Sequence, residues 1–158
     1  MADLNLIHRV RLPDPNTGAL FPAVVMVHGW QGDENVMWVF ERTLPQNVVA
    51  LSPRGPVAAE GSYGWFADRV DATDLDSGLE ALREFVTRLP EVYPVDGTRI
   101  TLMGFSQGAA MCYALMLNQP GLVKGLAALA GFLPQPAQAW IRPGRLAGKP
   151  VFIAHGLE

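Results

Sequence analysis

Five short apolar runs are spaced along the chain: Ala23–Val27, Val48–Leu51, Ile100–Met103, Gly125–Ala130 and Val151–Ala154. Each is nearly continuous in hydrophobicity instead of alternating with polar residues. Such runs predict strands of a parallel sheet whose two faces are both covered by helices. Leu4–Leu12 alternates more, which suits an edge strand or an antiparallel start.

Helical patterns fill the intervals. Leu75, Leu79, Leu82, Phe85, Val86 and Leu89 recur at the spacing of one stripe on an amphipathic helix. Thr73 or Asp74 is the expected N-cap, and Pro90 the expected stop signal. A second helix is expected from about Glu34 to Arg42, and a third from Gln107 to Asn118, ended before Pro120. Alternation of strand and helix over short connections predicts one doubly wound α/β domain across residues 1–158.

Composition agrees with a single core. The 158 residues are 49% hydrophobic and 17% charged. Twelve basic and 15 acidic residues give a net charge of −3, with no run of like charge. The basic footprint expected of a nucleic-acid or anionic-membrane partner is therefore missing. A single cysteine, Cys112, leaves no partner for an internal disulfide and fits a reducing compartment. Met1–Pro15 has no apolar stretch behind a basic start, and no apolar run is long enough to span a bilayer. The expectation is a soluble, cytoplasmic protein with no integral membrane association.

The candidate chemistry lies in Gly104-Phe105-Ser106-Gln107-Gly108, a G-x-S-x-G pentapeptide. The pattern alone is weak, but it follows the run Ile100–Met103 and opens the helix from Gln107. Strand, turn and helix are the setting of a nucleophile elbow. A serine on so sharp a turn has strained dihedrals, and side chains two positions away would collide with the neighbouring strand and helix. The hydroxyl is left exposed at a helix N-terminus, where partial positive charge favours a developing anion. The competing reading, a serine that merely caps a helix, fits this context less well.

In an acyl-transfer hydrolase built on such an elbow, one oxyanion donor is the N–H after the nucleophile, here Gln107. The other comes from the loop after an earlier strand, here Val27-His28-Gly29-Trp30-Gln31-Gly32-Asp33, with Trp30 placed to supply it. His28 precedes the serine, whereas the triad order on this fold is serine, acid, histidine; a structural hydrogen-bonding role is expected for it. Met37, Trp38, Trp65, Phe66, Phe105 and Phe132 fall near the C-terminal ends of strands or in the loops beyond, the face where open α/β sheets bind ligands. Some must be core, and the remainder are expected to line a pocket for an apolar acyl chain or aromatic ester. Cys112 reads as core packing. Asp68, Asp71, Asp74 and Asp76 form an acidic cluster without metal-ligand spacing to a histidine, expected to be a solvated helix start.

HGWQGDEN at His28–Asn35, SPRGP at Ser52–Pro56, YGWF at Tyr63–Phe66, GFSQGAAM at Gly104–Met111 and FIAHG at Phe152–Gly156 together resemble the phospholipase/carboxylesterase family, which includes the acyl-protein thioesterase-like serine hydrolases. The resemblance runs in order over essentially the whole chain. It implies an α/β-hydrolase fold and cofactor-free hydrolysis of small-molecule carboxylic esters or thioesters through an acyl-enzyme. By the same resemblance Ser106 is the nucleophile, and Trp30 and Gln107 donate to the oxyanion. His155-Gly156 resembles the start of the family's H-G-x-x-D segment, whose aspartate is the triad acid. On that likeness the acid is expected one residue past Glu158, and the histidine base after a further helix and strand. The chain is accordingly expected to be incomplete at its C-terminus, without the triad acid and base and inactive by itself, with Val151–Ala154 as an exposed sheet edge through which it dimerises. Glu158 as a displaced acid falls one position early, and whether Leu157-Glu158 are native residues or a cloning scar stays open.

Two functional classes remain at this level: an ester or thioester hydrolase, and a non-catalytic α/β-hydrolase scaffold that binds a ligand or partner. A nucleotide-binding domain fares poorly, since neither G-x-G-x-x-G nor G-x-x-x-x-G-K-[ST] is present.

Overall fold

The computed structural model describes residues 3–14, 18–67 and 72–157, and the side chains of these except residues 72–74. Asp68, Asp71 and Glu158 lie outside what is described, as do the side chains of Thr73 and Asp74; α1 begins at Ala72, so Thr73 and Asp74 stand inside the helix and not at the N-cap expected for one of them.

Six strands form the main sheet: β1 (His8–Arg11), β2 (Phe21–Val27), β3 (Val49–Pro53), β6 (Val95–Phe105), β7 (Gly125–Leu129) and β8 (Val151–Ala154). Their order across the sheet is β1-β3-β2-β6-β7-β8. Every neighbouring pair is parallel except β1 with β3. The alternating N-terminal segment thus takes the edge, antiparallel, over a shorter span than Leu4–Leu12. β4 (Val57–Ala59) and β5 (Ser62–Gly64) form a separate antiparallel hairpin, which the apolar pattern did not predict.

The parallel strands are apolar on both faces because each face has its own cover. Ala23, Val25 and Val27 of β2 pack with α1 (Ala72–Val92) and α2 (Gln107–Asn118) in the larger cluster, with Leu75, Leu82, Phe85, Leu89 and Leu115. Val24 and Met26, on the opposite face, pack with Met37 and Trp38 of a helix at Val36–Thr43. That helix is 3₁₀ where an α-helix from Glu34 was expected, a tighter winding usual for short connectors. Pro90 does not stop α1, which runs on to Val92. The proline forfeits its own N–H near the helix end, while the next turn still closes from Tyr93 N–H to the Leu89 carbonyl at 2.9 Å.

β6 pairs with β2 at Phe21↔Val95 and again from Ala23↔Ile100, so residues 96–99 bulge out between the two registers. Asp96 folds this bulge upon itself, accepting from the Thr98 N–H at 2.9 Å and the Thr98 hydroxyl at 2.7 Å. Those bonds, with Arg99, hold its carboxyl at a pKa of about 2. At the far edge of the sheet, Val151, Phe152 and Ile153 of β8 are 42%, 61% and 61% exposed, so this apolar strand is open on both faces. α3 (Gln135–Gln138) is a single turn after β7.

Candidate active site

Ser106 stands between β6 and α2 with φ 52° and ψ −116°, a conformation that L-residues seldom adopt. Neighbours on both sides hold it there. Its N–H donates to the Leu129 carbonyl of β7 at 2.9 Å, and its carbonyl accepts from Ala110 at 3.1 Å. The two motif glycines are needed for space. A Cβ at Gly104 would come within 2.6 Å of the Ala109 backbone, and one at Gly108 would collide with the carbonyl oxygens of Val27 and His28. The turn is therefore as tight as the motif requires, with the serine partly exposed at its tip.

The loop after β2 lies directly against it. A Cβ on Gly29 would fall 3.3 Å from the Ser106 Cβ and 3.2 Å from the Phe105 carbonyl. Among the described residues, no backbone carbonyl accepts from the N–H of Trp30 or of Gln107. Both expected donors thus belong to segments that meet at the serine, with their backbone donors unspent on secondary structure.

Two sequence-distant segments brace this loop. Gly32 and Tyr63 exchange both backbone bonds, at 3.1 and 3.0 Å, and the Ser62 hydroxyl donates to the Gly32 carbonyl at 2.7 Å. Arg54 binds Glu34 through two contacts of 2.6 and 2.7 Å, donates to the Tyr63 hydroxyl at 3.2 Å and lies over its ring. The guanidinium holds the Glu34 carboxyl below the usual carboxylate range. His28 is fully buried. Its Nε2 accepts from the Gly55 N–H at 2.8 Å, so the proton resides on Nδ1, which donates to the Gly29 carbonyl at 2.7 Å. Burial pushes its pKa below the ordinary value. With both nitrogens committed, His28 is a structural strut of the loop and has no free nitrogen for Ser106.

The expected pocket aromatics divide. Phe105 and Phe132 are 43% and 45% exposed, and Phe105 adjoins the serine and Gly29. Met37, Trp65 and Phe66 are buried in the core and present no side-chain surface to solvent, a correction to the sequence expectation. The hairpin β4–β5 turns the chain inward just before Trp65, and Phe66 then supports Phe132 edge-on, with ring centroids 6.4 Å apart. Trp38 belongs to the 3₁₀ helix on the opposite face and packs beneath the Arg9 guanidinium, 4.3 Å from it.

Sequence reasoning named Gln107 for its backbone N–H and missed the part its side chain plays. The Gln107 side chain is buried, its Oε1 accepting from the Trp65 N–H at 2.8 Å and its Nε2 donating to the Phe66 carbonyl at 2.8 Å. No local signal marks this, because its partners are backbone groups some forty residues earlier in the chain.

A mostly parallel sheet with flanking helices, and a G-x-S-x-G turn on the central strand, define an α/β-hydrolase fold. Residues 18–158 match the model of the phospholipase/carboxylesterase family, and the chain belongs to that family of ester and thioester hydrolases. It is 27% identical to acyl-protein thioesterase 1 of Candida albicans, over 95% of this chain and 75% of that protein. Among solved structures it is similar to the carboxylesterase of Bacillus cereus, with a TM-score of 0.80 at 26% identity, covering 97% of this chain and 71% of that one. The carboxylesterase of Mesorhizobium loti has the same fold, with a TM-score of 0.78 at 23% identity. Among the described residues, no helix is long and apolar enough to cross a membrane.

Proposed function

We propose that the protein hydrolyses carboxylic esters or thioesters through an acyl-enzyme on Ser106, in the cytoplasm and without a cofactor. The observation that carries this reading is the strained, partly exposed Ser106 with the Gly29–Trp30 backbone packed against it. The Ser106 hydroxyl attacks the carbonyl carbon while a base accepts its proton. The oxyanion so formed takes hydrogen bonds from the N–H groups of Trp30 and Gln107. The tetrahedral species collapses, expelling the alcohol or thiol, which takes up the proton. Water, deprotonated by the same base, then attacks the acyl carbon and frees the acid and the serine. Phe105 and Phe132 offer apolar surface for the acyl or alcohol portion. Neither His8, bound to the Leu6 carbonyl and the Tyr93 hydroxyl, nor His28 has a ring nitrogen free to serve as that base.

The test is a fluorophosphonate probe on the protein expressed from its complete coding sequence. Labelling is expected at Ser106 and should vanish in Ser106→Ala, with kcat for a short-chain p-nitrophenyl ester falling by about 10⁴-fold or more. Labelling that survives the substitution identifies another nucleophile. No labelling of the parent at all would favour the binding-scaffold reading.

A further inference from the structure

We infer that the Gln107 side chain is a positioning residue that sets the two oxyanion donors relative to each other, apart from the role of its own backbone N–H. The inference rests on Ser106 being the nucleophile.

The geometry is that of a two-point clamp. The primary amide meets the backbone of residues 65 and 66 with one acceptor and one donor, both at 2.8 Å, and so fixes every torsion of the side chain. Holding the side chain holds the first residue of α2, whose backbone N–H is one of the two proposed donors. The clamped segment also reaches the other donor. Trp65 Nε1 donates to the His28 carbonyl at 3.0 Å, holding the end of β2 two residues before Trp30. Gly64 supports the Trp30 ring directly, since a Cβ there would collide with that ring and come within 3.0 Å of Gln107 Oε1. Residues 64–66 thus touch both donor residues at once, and the amide of Gln107 holds them against the elbow.

These bonds lie in the interior, where they are stronger than in water and where an unmet partner is costly. The carbonyl of Phe66 needs a donor and the N–H of Trp65 an acceptor. An amide satisfies both, and a neutral carboxylic acid does so equally, but a carboxylate offers Phe66 only lone pairs. Among the described residues, the titratable ring placed against this network is that of His28, 5.5 Å from the Trp65 ring, with both its nitrogens bonded to backbone.

The experiment compares Gln107→Glu and Gln107→Met with the parent, using the fluorophosphonate labelling rate at Ser106 and hydrogen exchange at the Trp65 amide. Gln107→Met fills the space without the bonds. It is expected to label more slowly by up to about 10²-fold at every pH, with faster Trp65 exchange. Gln107→Glu is expected to behave likewise near neutral pH and to recover toward the parent as the pH falls and the carboxyl protonates. The variant-to-parent ratio therefore climbs with acidity, which a general loss of packing would not produce. If Gln107→Met fails to fold, the acid recovery of Gln107→Glu decides alone. Parental labelling in Gln107→Met, or a pH-independent ratio in Gln107→Glu, overturns the inference. An unlabelled parent would instead sink the nucleophile assignment, and Trp65 exchange would still decide whether the clamp exists.

Discussion

Gly29 stands so close to Ser106 that a Cβ on the glycine would lie 3.3 Å from the Cβ of the serine. The backbone that follows Gly29 is therefore held beside the serine, and in the function proposed above Trp30 acts through its N–H more than through its ring. Trp30→Pro, which lacks that N–H, is expected to lower kcat by roughly 10²–10³-fold. Trp30→Phe keeps the N–H and should cost far less. Steady-state kinetics on a p-nitrophenyl ester separates the two, and equal losses would refute the backbone assignment.

The motif glycines make a stability prediction. Gly108→Ala drives a methyl into the carbonyls that end β2, where neither backbone can retreat without disturbing the sheet. A loss of about 1–3 kcal/mol or more is expected from such overpacking. Gly121, with no atom within 4 Å of an added Cβ, is the control, and Gly121→Ala should stay within about 0.5 kcal/mol. Urea denaturation measures both, and similar midpoints would contradict the packing described for the elbow.

Much of this arrangement is legible in the sequence for physical reasons. Strands covered on both faces must be apolar throughout, so β2, β3 and β7 announce themselves, and the elbow announces itself by glycines that a tight turn cannot do without. The β4–β5 hairpin does not, because three-residue strands carry too little pattern. Its signal is the Glu60-Gly61 pair, whose φ angles of 45° and 85° form the two-residue turn that joins the strands. Trp65 and Phe66 resemble exposed loop aromatics until that hairpin is known. The clamp by Gln107 is tertiary altogether, and no spacing within the chain foretells it.

His28 predicts a pH dependence of stability. Burial lowers its pKa in the folded protein from the ordinary value of 6.5. As the pH falls below 6.5 the unfolded chain takes up a proton that the folded one refuses, so folding weakens. The contribution is complete above 6.5 and is lost on descending toward the folded-state value. Unfolding free energies from about pH 8 to pH 5 should fall more steeply for the parent than for His28→Gln. Parallel curves would show that His28 is not held neutral.

The open edge at β8 predicts self-association of the 158-residue chain. An apolar strand with unpaired backbone groups templates pairing with another chain. Dimers or larger species are expected on size exclusion, and Phe152→Lys should shift them toward monomer.

The left-handed φ at Ser106 has a consequence for how the fold ranks its own residues. Glycine is the residue best suited to φ 52° and ψ −116°, so the position is occupied by a side chain the backbone would rather not carry. Relieving a conformation of this kind is worth about 1–3 kcal/mol. Ser106→Gly should therefore melt at a higher temperature than the parent while losing all labelling. Selection for thermal tolerance alone would drift away from serine here, so under the function proposed above its presence marks a place where reactivity has outweighed rigidity.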